Sequence, residues 1–139
     1  MNRLVAALLF GVAIIHWLPL AGVLGGERLG ALYGVVIGDP NLELLMRHRA
    51  VLFGIVGTLI AAGAFHRPLR FAALAVGYAS VVSFLALAYT SGTHSTQVDR
   101  VVMFDWVALA LLLVASLLIV IHRRRHPRLM FRERRENRP

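Results

Sequence analysis

Four apolar runs, Leu4–Leu24, Ala50–Phe65, Phe71–Thr90 and Val101–Ile121, take up most of the 139 residues and leave this chain few ways to fold. Crossing about 30 Å of hydrocarbon takes roughly 20 helical residues. Each run reaches or approaches that length, the second with a polar extension back to Asn41. Lipid offers no partner to a bare peptide group, so such runs fold as helices and not as open strands. With 58% hydrophobic residues, 16% charged and a mean hydropathy of +0.71, the chain is too apolar for a soluble domain of this size. The pattern specifies an all-α integral membrane bundle of four transmembrane helices over residues 1–122, followed by an Arg-rich tail over residues 123–139.

The first run is longer than the apolar core of a secretory leader, about 7 to 15 residues, and no small-residue cleavage site precedes a soluble domain. It is expected to remain as a span. Cysteine is absent, which removes disulfides, thiolate metal sites and cysteine nucleophiles. All fifteen basic residues are arginine and eight fall between Arg123 and Arg138, so the net charge of +8 belongs mainly to the tail. The tail is expected to lie against anionic lipid, at about 1 kcal/mol per nearby basic residue. No stacking motif accompanies the charge, and no nucleic acid is expected as a partner.

Arginine placement also orients the chain. The tail, the HRPLR turn with Arg67 and Arg70, and Arg3 all favour the cytoplasm, which puts both termini inside. Residues 25–49 and the SGTHSTQVDR loop then face outward. Within the first of these, GERLGALYGVVI is too short to span and reads as a short extra helix or re-entrant segment between the first two transmembrane helices. Asp39 is the expected N-cap of the second span with Pro40 at its first position. Thr96 with Asp99 resembles a capping box for the fourth. Small residues at Gly54, Thr58 and Ala62, and at Ala75, Ala79 and Ser83, predict close helix packing, either between the second and third spans or at a homo-oligomer seam.

Chemistry gathers at the outward end. His16 precedes Trp17 and Pro19 late in the first span and is expected near the outer interface, where the proline leaves a free carbonyl and bends the helix. An imidazole there either locks packing or serves a ligand. Glu43 and Arg47 stand four apart in the favoured order for a helical ion pair, and Arg47, His48 and Arg49 point about 100° apart, so they cannot share one partner. Asp105, a carboxylate inside the last span, calls for a partner among Arg49, Arg47 and His48. With Glu27, Arg28, Tyr33 and Asp99 these groups form a candidate polar cluster open to the outer leaflet. His16 and His48 are the weak candidates for metal or haem ligation, with His94, Glu27 and Asp105 as further donors. None of these residues stands in HxxxH or ExxH spacing with another to make that specific.

The blocks IHWLPLAGVLGGERLGALYGV, residues 15–35, and DPNLELLMRHRAVLFGIVG, residues 39–57, resemble a family of small bacterial inner-membrane proteins that carry the label phosphopantetheine adenylyltransferase. The similarity extends over most of the first 121 residues and leaves out the tail. What it implies is a bacterial inner (cytoplasmic) membrane location, with no established activity. The label implies nucleotide transfer, yet the chain has no HxGH motif and no Gly-rich loop between a strand and a helix.

The favoured reading is a binding or accessory component that handles a lipid or quinone, more naturally a non-enzyme than an enzyme, with no cofactor specified. The competing classes are a membrane redox or metal/haem protein using His16 and His48, and a small oligomeric transporter using Asp105. A homo-oligomer or a larger membrane complex is compatible with each.

Overall fold

The computed structural model describes residues 2–125, so most of the arginine tail lies outside the described residues. Five α-helices follow one another: α1 Asn2–Trp17, α2 Gly26–Tyr33, α3 Pro40–Phe65, α4 Arg70–Thr90 and α5 Thr96–Arg125. No strand occurs among the described residues. Pro19 has no N–H to continue the helical ladder, and from Leu18 to Leu24 α1 continues as a tighter 3₁₀ segment. Together they make one apolar stretch, Arg3–Leu24, long enough to cross a membrane; Pro40–Phe65, Arg67–Thr90 and Thr96–His122 are the other three.

The long helices form a ring in which α1 packs on α3, α3 on α4, α4 on α5 and α5 on α1. Its core is built from Val5, Leu9, Val12 and Ala13 of α1, Ile60, Ala61 and Ala64 of α3, Val81 of α4, and Ala108 and Leu112 of α5. The outside is apolar as well: Leu52, Ile55, Phe71, Leu87, Leu113 and Leu117 are exposed along the helices. Water does not tolerate apolar surface on that scale, whereas hydrocarbon does. The protein is an all-α membrane protein.

α3 and α4 do touch, through faces other than the anticipated stripes. Thr58, Ala75, Ala79 and Ser83 are exposed, and the Thr58 hydroxyl bonds back to the Gly54 carbonyl at 2.7 Å. The close face of α3 is instead Ala50, Gly54, Gly57, Ala61 and Ala64, and it receives α1 and its 3₁₀ extension: Leu20 covers Gly54 while Trp17 covers Gly57. The Trp17 indole N–H donates to the Gly54 carbonyl at 3.3 Å, so this ring is a packing element and not a free interfacial anchor. α4 meets α3 where Ala73 lies over Gly63 and Gly77 approaches Ile60.

The cap of α3 follows the sequence: Asp39 Oδ1 accepts the Asn41 N–H at 2.7 Å and Pro40 opens the helix. The cap of α5 does not. Ser95, one residue before the anticipated Thr96, accepts the Val98 N–H on its hydroxyl oxygen at 3.2 Å, and that hydroxyl donates to the Tyr33 carbonyl at 2.7 Å. One side chain thus caps α5 and ties α2 to it. We expect Ser95→Ala to cost about 1 kcal/mol and Thr96→Ala a few tenths, read as unfolding midpoints in mild detergent.

Candidate functional site

α2 folds back over one end of the ring, and its geometry depends on two glycines. Gly25, at φ 123°, turns the chain out of the 3₁₀ segment, and Gly34, at φ 67°, closes α2 in a left-handed cap; a side chain would be strained at either. Leu29 is buried against Gly22. Glu43 Oε1 accepts the Gly26 N–H at 3.2 Å, an otherwise orphaned donor of the first turn of α2. Arg47 Nε donates to the Val23 carbonyl at 3.0 Å and pairs with Glu43 at 3.7 Å. These two side chains, expected in a ligand site, are occupied in fastening backbone.

Beneath α2 lies a cavity of about 350 Å³. Ile15, His16, Leu18 and Pro19 form one wall, Ala31, Leu32 and Tyr33 the roof, Arg49, Phe53 and Phe84 the back, and Gln97, Arg100, Val101, Phe104 and Asp105 the facing side on α5. Of the anticipated cluster, the fold brings His16, Tyr33, Arg49 and Asp105 together here. Glu27, Arg28 and His48 are exposed and outside the lining, and Asp99 pairs with His94 at 3.7 Å.

Arg49 sits between two rings, its guanidinium carbon 5.2 Å from the centroids of both Tyr33 and Phe53, a cation–π arrangement that holds the charge away from bulk water. Tyr33 is only 7% exposed. Burial pushes its phenol above the ordinary value near 10, and the Arg49 cation pulls the other way. Among the described residues no ion pair joins Asp105 to Arg49, Arg47 or His48, so the anticipated salt bridge is not formed; Asp105 and Arg49 face the same space without closing to that range.

His16 is 2% exposed and lies within the bundle, away from its end. Its ring packs 6.1 Å from that of Phe53, at mid-length of α3, and its Nε2 meets the Ser80 hydroxyl, at mid-length of α4, at 3.1 Å. The 3₁₀ segment explains the depth, because seven further residues follow Trp17 before the chain turns. Nδ1 lies 2.9 Å from the Val12 carbonyl, which can only accept, so Nδ1 carries the proton and Nε2 accepts from Ser80. Both nitrogens are therefore engaged, and the histidine bridges diagonally across the ring from α1 to α4.

That pairing bears on two chemistries. A metal or haem needs a free imidazole lone pair aimed at it, which His16 lacks, while His48 is on the outer surface. No group of three His, Asp or Glu able to hold a metal gathers among the described residues. A serine donating to an imidazole is also the first contact of a nucleophilic pair. Here both residues sit inside helices whose backbone N–H groups are consumed by helical bonds, leaving none to hold an oxyanion. The contact is an interhelical hydrogen bond.

No protein-family model, no curated protein and no solved structure matches the chain.

A second cavity, of about 410 Å³, adjoins the first and shares Arg49, Phe53 and Phe84 with it; Ser80, Ser83, Leu87, Ser91 and His94 complete much of its lining. Arg100, Gln97, Phe53, Phe84 and Phe104 were not anticipated as site residues. A signal for the α5 group exists: counting back from Asp105 by four and by eight reaches Val101 and Gln97 on one helical face, with Arg100 and Phe104 on its flank.

Proposed function

We propose that this protein is a non-catalytic binding component of the bacterial inner membrane that holds a bilayer-soluble amphipathic molecule in the cavity under α2. One observation carries the reading. Arg49 and Asp105, charged groups that are costly at this depth, face a cavity walled by aliphatic and aromatic side chains instead of pairing off or reaching outward. Glu43 and Arg47, by contrast, are spent on backbone. A mostly apolar pocket with a few convergent polar groups suits a molecule with a polar head and a greasy body.

The location rests on the resemblance of residues 15–35 and 39–57 and on charge. Arg3, Arg67 and Arg70, with the eight arginines that the sequence carries from Arg123 to Arg138, outnumber Arg28, Arg47, Arg49 and Arg100 of the opposite loops and helix ends. That asymmetry favours cytoplasmic termini.

Solvent extraction of the purified protein followed by mass spectrometry tests the proposal. We expect one amphiphile near stoichiometric amount, depleted about tenfold in Arg49→Ala, the loss of one charge-assisted contact. The helical content should be unchanged. An extract matching that of an unrelated membrane protein purified in the same detergent would refute it.

A further inference from the structure

The lining of the cavity under α2 carries two guanidinium groups, Arg49 from α3 and Arg100 from α5, against one carboxylate, Asp105. The lining as a whole therefore carries one positive charge in excess on walls that are largely apolar. Arg49 has its two ring faces. Arg100 stands exposed at the rim.

The lining residues that remain exposed, Leu18, Ala31, Arg100 and Phe104, mark the mouth. It opens between the 3₁₀ segment with α2 on one side and α5 on the other. α1 and α5 are closed on each other lower down, where Leu111 reaches Gly11. Two sides of the mouth, Leu18 and Phe104, belong to stretches apolar enough to lie in hydrocarbon, so the entrance faces the bilayer from the side. A space of about 350 Å³ accommodates a head group but not a pair of acyl chains, which would stay in the lipid.

A neutral quinone head would leave the excess charge unmatched. A phosphate would match it, and the planar fork of arginine suits phosphate oxygens in two-pronged contact. We infer that the cavity takes the phosphate head of an anionic glycerophospholipid, admitted sideways between the 3₁₀ segment and α5, with Arg49 at its inner end and Arg100 at its rim. This rests on the amphiphile-binding reading above and assigns its head group.

Native mass spectrometry of the full-length protein in neutral detergent tests it, with phosphatidylglycerol, phosphatidylcholine, ubiquinone and soluble glycerol phosphate supplied in turn. The expected result is one phosphatidylglycerol retained per chain, about tenfold more tightly than phosphatidylcholine, the worth of one charge-assisted contact. That preference should vanish in Arg49→Gln and in Arg100→Gln. The tail is intact in both variants, so lipid held by tail arginines is a constant background, and Arg100→Gln, at the exposed rim, keeps the test open should Arg49→Gln fail to fold. Undiminished preference in Arg100→Gln overturns the inference, as does glycerol phosphate binding as tightly as the lipid, which would make the source aqueous. Ubiquinone retained in preference to phosphatidylglycerol overturns the phosphate assignment and leaves amphiphile binding standing. Retention of none of the four overturns both.

Discussion

Gly63→Val is expected to lower stability by about 3 kcal/mol, the upper end for overpacking. A Cβ at Gly63 would collide with the Cβ of Ala73, and the next nearest atoms, the Leu69 carbonyl oxygen at 3.3 Å and the Arg70 Cα at 3.5 Å, are backbone. Backbone cannot swing aside as the end of a long side chain can. Relief would require α3 and α4 to separate just after the Arg67–Leu69 turn that joins them. Gly77 provides the contrast: its nearest neighbour is Leu112 Cδ2 at 3.1 Å, the flexible tip of a side chain, so Gly77→Ala should be much milder. Exchanging the two residues, Gly63→Ala with Ala73→Gly, moves the methyl to the other side of the contact and should recover most of the stability lost in Gly63→Ala alone. Titration with sodium dodecyl sulfate, followed by tryptophan fluorescence, reads all of these. Equal midpoints for Gly63→Val and wild type would mean that the two helices do not approach closely at this point.

That contact also shows which parts of the structure were readable from the chain. Spans were legible because hydropathy over some 20 residues is a property of the backbone's solvent and survives any detail of packing. The Asp39–Pro40 start of α3 was legible because both residues act on their own helix. Partners were not. Gly54, Thr58 and Ala62 satisfy a four-residue spacing, yet the face that closes on α1 follows Ala50, Gly54, Gly57, Ala61 and Ala64, the alternating spacing of helices that cross at a shallow angle.

The site divides the same way. His16, Tyr33, Arg49 and Asp105 stood out because each is costly in lipid unless something faces it, and the fold does turn all four to one cavity. Glu43 and Arg47 pair as their spacing indicated, but their further partners, the Gly26 N–H and the Val23 carbonyl, are atoms every residue has and no sequence pattern marks. Ser95 escaped for a related reason: its second partner is the Tyr33 carbonyl, 62 residues away. His16 was expected near the interface because it comes late in its span, before Trp17 and Pro19, while its contacts with Phe53 and Ser80 put it at mid-length of α3 and α4.

His16→Ala should cost about 3 kcal/mol, since it removes a fully buried ring and leaves space that neighbouring helices fill only in part. The substitution deletes two hydrogen bonds and the contact with Phe53. Ser80→Ala should cost about 1 to 2 kcal/mol, because it leaves the buried Nε2 of His16 without its donor. The double variant isolates the bridge itself, with an expected coupling of about 0.6 to 2 kcal/mol, the range for interhelical hydrogen bonds in membranes. A coupling near zero would leave His16 as a space-filler whose polar contacts are incidental. The same variants separate packing from ligand binding. His16 forms part of the cavity wall but spends both nitrogens within the protein, so His16→Leu, which refills the volume without the bonds, should retain a bound amphiphile even as the unfolding midpoint falls. If His16→Leu instead loses the amphiphile at full stability, the imidazole contacts the ligand directly and its bond to Ser80 is exchanged for one to that ligand when it binds.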